Sequence, residues 1–217
     1  MRIREWPLRV RALGTGAILS IAYFLIALVI LHYLRPDYPP ARHMISDYAV
    51  GPFGWVMTSA FIALSISCLL LGLGLVKSGP QTIPARIGIA LLGVVFFGLV
   101  ITAIFPTDIP GSVETRSGDI HNATFLINVG SLLAATVLLT ASFFGCAEWR
   151  PVSVLAVLLA GFVVSAFALQ FFSLRPGAPY GLANRLFVVA LFSWLSLVAS
   201  RLIVLGGPSA ESSRTIA

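Results

Sequence analysis

Charge is scarce in this chain. Charged residues make up 10% of the sequence, and only eight of them are acidic. A soluble domain carries about 25%, so there is too little polar surface to cover a water-facing fold. An ordinary soluble enzyme or binding module is excluded. The net charge of +6 does not imply a nucleic-acid partner either, because no compact basic domain exists to present it. Cysteine is almost as rare. Cys68 and Cys146 lie within or at the end of apolar runs, on the half read below as cytoplasmic. No disulfide is expected there, and both are read as small apolar fillers. HExxH, CxxC, GxSxG and the phosphate loop are all missing. No apolar run holds a charge at mid-depth, which argues against an ion-coupled pump or a voltage sensor.

What remains is hydrocarbon, at 58% hydrophobic residues and a mean hydropathy of +0.98. A membrane-spanning helix needs roughly 20 mainly apolar residues. Six runs qualify, at 12–34, 53–76, 87–105, 123–146, 152–174 and 182–205. Barrel strands would alternate over about 10 residues, whereas these runs are unbroken. The expected fold class is therefore all-α: a polytopic membrane protein, one bundle of six transmembrane helices over 12–205. A basic segment, 1–11, precedes it and a flexible tail, 206–217, follows. The first run is too long for a signal-peptide core and is read as a retained span.

Six spans put both termini on one side. Nine of the fourteen Lys and Arg residues, including Arg2, Arg4, Arg9, Arg11 and Arg214, fall on that side. The positive-inside rule makes it the cytoplasm. The acids lean outward, with Glu5, Glu148 and Glu211 the three inside. Trp6 and Trp149 are expected at the inner boundary. Tyr33, Tyr38, Tyr48, Trp55 and Tyr180 are expected at the outer one, and Trp194 within the bundle. Gly72, Gly74, Gly88, Gly93 and Gly98, with Ser193, Ser196 and Ser200, are small enough to let helices approach closely, including helices of a second copy in a homo-oligomer.

The polar residues collect in the three outer loops. The stretch "FPTDIPGSVETRSGDIHN" is the most polar of the chain. His121, Thr124, Asn128 and Ser131 are spaced by three, four and three, which places them on one helical face. Asn128 is then about 10 Å deeper than His121, where an amide must face protein or water. Two uses fit: an interhelical hydrogen bond, or the wall of a pocket open to the outside. Asp119 is read as the N-cap of the fourth helix. In "ISDYAVGPFGW", Ser46 and Asp47 begin a short interfacial turn and Gly51-Pro52 starts the second span. His121 is the candidate general base, oriented by Asp47 or Asp108. The same three residues are the candidate ligands of a divalent metal, although a closed zinc site needs four. Ser46, Thr124, Asn128, Asn184 and Arg185 are candidate ligand-binding residues. Arg185 either snorkels to headgroups, pairs with Asp47 or Asp108, or clamps an anionic group.

Four motifs carry a resemblance: "ISDYAVGPFGW" before the second span, "FPTD" ending the third, "GDIHN" opening the fourth and "GLANRLF" opening the sixth. In this order they resemble the bacterial six-span family catalogued as domain of unknown function 998, from the first span to Arg201. The resemblance implies six helices in a bacterial cytoplasmic membrane and no established activity. It also implies that Ser46, Asp47, Asp108, His121 and Arg185 form a common feature. In architecture the family looks distantly like six-span proteins that handle lipids, which is an analogy of fold alone. Three functions are open at this point: an outward polar pocket for a lipid headgroup or small amphipathic ligand, a lipid hydrolase or transferase at the outer leaflet, and a transporter or accessory subunit.

Overall fold

A computed structural model describes residues 5–109, 111–175 and 177–207, with side chains from Arg9 onward. The expected roles of Arg2, Arg4, Glu211 and Arg214, and of the Glu5 and Trp6 side chains, lie outside the described residues. The described residues form six long helices: α1 (Glu5–Leu34), α2 (Gly54–Ser78), α3 (Ile83–Ile104), α4 (Arg116–Phe143), α5 (Arg150–Phe172) and α6 (Tyr180–Leu205). A short 3-10 turn, η1 (Ile45–Ala49), sits in the loop between α1 and α2. No strand is found among the described residues. All six helices are long and apolar enough to cross a membrane. They close within themselves the backbone hydrogen bonds that lipid cannot satisfy.

Each helix packs on its neighbours in sequence, and α6 returns to α1 to close a ring. The ring is uneven, because α4 and α5 meet less closely than any other sequence neighbours. Elsewhere small residues bring helices together. A Cβ at Gly98 would run into the Asn128 amide, one at Gly88 into Leu139, and one at Gly74 into Leu202. Gly93 meets nothing, and Ser193, Ser196 and Ser200 are partly or fully exposed. Gly93 therefore makes no close approach within the bundle.

Helix starts differ from the hydropathy reading, since polar caps extend a helix beyond its apolar run. Thr82 accepts from the Ala85 amide at 3.4 Å and starts α3. Thr115 accepts from the Gly118 amide at 3.1 Å and starts α4, so Asp119 is a first-turn residue and not the N-cap. The α2 start also moves, from Pro52 to Gly54, with Phe53 held at φ 62°. That left-handed backbone is strained for a side chain of this size.

The aromatic placements divide. Tyr33 and Trp55 are exposed at the η1 end, and Trp194 is buried with its indole N–H on Thr140 at 2.9 Å. Tyr38, Tyr48 and Trp149 are buried. Trp149 stacks on Phe143 and donates to the Ser78 carbonyl at 2.7 Å, because a buried indole needs an acceptor. Cys68 and Cys146 are both free thiols.

Candidate functional site

The loop between α3 and α4 folds back on the start of α4. Asp108 accepts from the Thr115 amide and from the Thr115 hydroxyl, each at 2.8 Å. Ser117 donates to the Pro106 carbonyl at 2.9 Å. One turn further in, His121 is 3% exposed, with Nδ1 2.9 Å from the Phe105 carbonyl. A carbonyl only accepts, so Nδ1 carries a proton, and in the neutral ring Nε2 is left with its lone pair. Below His121 the polar stripe continues as a ladder. Thr124 donates to the His121 carbonyl at 3.0 Å. Thr102 of α3 donates to the Gly98 carbonyl at 2.9 Å, and the Asn128 amide nitrogen donates to Thr102 at 3.2 Å. The Asn128 amide oxygen has no partner among the described residues. Asn128 thus bonds α4 to α3, the first of the two uses read from the sequence, and it also lines a small recess.

On the other side of this end, the α1–α2 loop is held by two arginines. Arg35 is 4% exposed. It pairs with Asp37 at 2.8 Å and donates to the carbonyls of Val50 and Pro52 at 2.7 and 3.1 Å, flanking the strained turn at Phe53. Arg185 donates to the His43, Pro40 and Gly181 carbonyls at 2.7, 2.9 and 2.9 Å, to His32 Nε2 at 3.0 Å and to the Tyr48 hydroxyl at 3.3 Å. Its neighbour Asn184 accepts the Ile45 amide at 3.0 Å. Gly181 is required here, because a Cβ would collide with the Pro40 and His43 carbonyls. η1 is thereby fixed, and with it Asp47. One oxygen of Asp47, Oδ2, accepts from His43 Nδ1 at 3.0 Å and from the Met44 amide at 3.1 Å. Burial pushes the Asp47 carboxyl above the usual range, and His43 pulls it partway back.

Between these two sides lies a cavity of about 550 Å³, within the size range of small-molecule sites. Its polar lining is Ser46, Asp47, Thr107, Asp108, His121, Asn122, Arg175 and Tyr180; Phe125, Leu126 and Leu174 supply apolar wall. Beneath it is a recess of about 100 Å³ among Phe61, Leu99, Leu132, Phe187 and Phe192, with the amides of Asn128 and Asn184. Ser46, His121 and Phe125 line both spaces, so they stand where one meets the other.

The sequence candidates thus separate. Ser46, Asp47, Asp108 and His121 face the cavity, and Asn128 and Asn184 face the recess. Thr124 belongs to the ladder and lines neither. Arg185 lines neither, makes no ion pair with Asp47 or Asp108, and spends its donors on backbone, His32 and Tyr48. The expected orienter of His121 is also replaced. The Phe105 carbonyl holds the ring, while Asp47 and Asp108 are turned to His43 and Thr115. Nor do Asp47, Asp108 and His121 make a metal centre, since no three His, Cys, Asp or Glu side chains among the described residues gather closely enough to hold an ion. Arg175 and Tyr180 are not among the site residues read from the sequence, where Tyr180 is only a boundary aromatic. The signal was their place in "RPGAPYG", the third loop of the same end.

Six apolar helices, with their polar groups gathered at one end, define a multi-pass membrane protein. Residues 18–201 match the family model described as protein of unknown function (DUF998), and the chain belongs to that family. No curated protein and no solved structure matches it.

Proposed function

We propose that this protein binds an amphipathic molecule of the membrane, a lipid or a lipid-like ligand, in the cavity at its η1 end. The observation that carries the reading is the junction at Ser46, His121 and Phe125. There a cavity that carries charged and polar side chains between stretches of hydrocarbon wall meets a narrow, mainly apolar recess inside the helix ring. Such a shape suits a molecule with a polar head and a hydrocarbon tail, because each part meets surroundings of its own kind. The Lys and Arg distribution supports a cytoplasmic membrane location with the termini inside and the cavity outside. The test is a thermal melt of delipidated protein with and without added membrane lipid, repeated on Phe125→Trp, which fills the junction. Lipid should raise the wild-type midpoint and leave that of Phe125→Trp in place. A wild-type midpoint unmoved by every membrane lipid refutes the reading.

A second reading is favoured by the orientation of His121. With Nδ1 on the Phe105 carbonyl, Nε2 keeps its lone pair and would take a proton from a water molecule in the cavity that His121 lines. The hydroxide so formed attacks the carbonyl carbon of an ester of the bound lipid, the acyl C–O bond breaks, and the proton held on Nε2 passes to the leaving alkoxide. Incubation with ester lipids should then release acid, and His121→Gln should abolish the release. If the purified protein releases none, binding stands alone.

A further inference from the structure

The charges around the cavity narrow what it accepts. Asp47 is 4% exposed and lines the cavity. Its Oδ2 is bonded twice, and its Oδ1 has no hydrogen-bond partner among the described residues. Each oxygen of Asp108 accepts one bond from Thr115, which leaves each with a further lone pair. Arg175 is exposed, and its guanidinium makes no hydrogen bond or ion pair among the described residues. The cavity wall therefore offers two carboxylates and one uncommitted guanidinium. A simple anion would meet the carboxylates, and a simple cation would meet Arg175. A head that carries both signs satisfies both, with an ammonium donating to the carboxylates and a phosphate accepting from the guanidinium.

The way in is equally specific. Leu126 of α4 and Leu174 after α5 line the cavity and are 70% and 52% exposed, which places them on the outside of the ring as well. They flank the α4–α5 seam, where the ring is thinnest. A molecule lying in the bilayer can pass between these helices without first entering water.

We propose that the cavity takes a phospholipid with a primary amine in its head, admitted sideways through the α4–α5 seam. The phosphate lies at Arg175 and the ammonium at Asp47 and Asp108, and of one acyl chain only the few methylenes that about 100 Å³ can hold enter the recess beyond Phe125. This rests on the reading above that the cavity binds an amphiphile.

The test uses the full chain, delipidated in detergent. It is titrated with phosphatidylethanolamine, phosphatidylglycerol and phosphatidylcholine of identical chains, and with free phosphoethanolamine. Binding is read by native mass spectrometry and thermal shift. A single charge-assisted hydrogen bond to the head changes Kd by about tenfold. The ethanolamine lipid should bind about tenfold tighter than the other two lipids, because glycerol lacks the cation and a quaternary amine cannot donate. Asp47→Asn should remove that preference, and Arg175→Gln, which loses the partner of the phosphate common to all three lipids, should weaken all three by about tenfold. The Arg175 side chain is exposed and bonds to nothing among the described residues, so its variant folds as the parent does. Equal binding of all three lipids, or a preference for the glycerol lipid, overturns the headgroup assignment and leaves amphiphile binding intact. Free phosphoethanolamine binding as tightly as the lipid overturns the role of the recess. If no lipid binds, the amphiphile reading fails and takes this inference with it.

Discussion

Two arginines at the same end of the bundle are used in opposite ways. Arg185 makes five hydrogen bonds, to three carbonyls, an imidazole and a phenol. Arg175 makes none through its side chain among the described residues, and faces the cavity. The side that joins α1, η1 and α6 is a clasp whose donors are matched to acceptors within the chain. The side that joins α3, α4 and α5 leaves Arg175 and His121 Nε2 without a matched group at the cavity wall, and Asp47 Oδ1 faces the cavity unmatched from η1. Residue type alone does not separate structure from chemistry here. The accounting of partners does.

The sharpest way to break this contrast is a matched pair of substitutions. Arg185→Gln leaves several carbonyls and His32 short of a donor. Stability should fall by about 3 kcal/mol, read by denaturation in detergent. Arg175→Gln should leave the melting midpoint in place. Equal effects of the two would erase the distinction. A smaller loss, about 2 kcal/mol, is expected for Asn184→Ala, which strands the buried Ile45 amide, and the same unfolding curve checks it. On the open side Thr115→Ala removes the α4 cap and the hydroxyl donor of Asp108. The backbone amide of residue 115 remains a donor, so the cost should be about 1 kcal/mol, and proteolysis of the 105–115 loop should quicken.

The smallest effect is a slope with pH. Asp47 has a raised pKa, so the folded chain holds that proton more tightly than the unfolded chain does. The stability this contributes is complete below the ordinary value of 3.8 and is lost as pH rises through the folded value. The groups facing Asp47 are His43 on its own loop, His121 on α4, and Tyr180 and Arg185 on α6. Melting midpoints of the parent and of Asp47→Asn, taken from pH 3.8 upward, should show the parent losing ground to the variant. Parallel curves would place the carboxyl at its ordinary value.

Much of this architecture is legible in the sequence, because lipid imposes a length and a composition on each helix. The six runs map onto six helices, and the spacing of His121, Thr124 and Asn128 maps onto one buried face. Helix ends are less legible. Thr115 starts α4 well before the apolar run begins, as its hydroxyl and Asp108 supply a cap that hydropathy does not weigh. Partner choice is the least legible. Whether Asp108 would meet His121 or Thr115, and whether Arg185 would meet a carboxylate or a row of carbonyls, depends on how loops fold over the bundle. Arg35 shows the same limit. It reads as an outer positive charge, yet it is buried and braces the turn at Phe53.

The clasp also has a place in time. Asn184 and Arg185 reach Ile45 and His43 across 139 and 142 positions of chain. During synthesis the first loop is made early and its bonding partners come last. Until the sixth helix emerges, η1 rests on α2 and Arg35 without the bonds from Asn184 and Arg185. Completion of this end is therefore a late event in biogenesis, and a chain halted before residue 180 would hold five inserted helices beneath an unfastened loop.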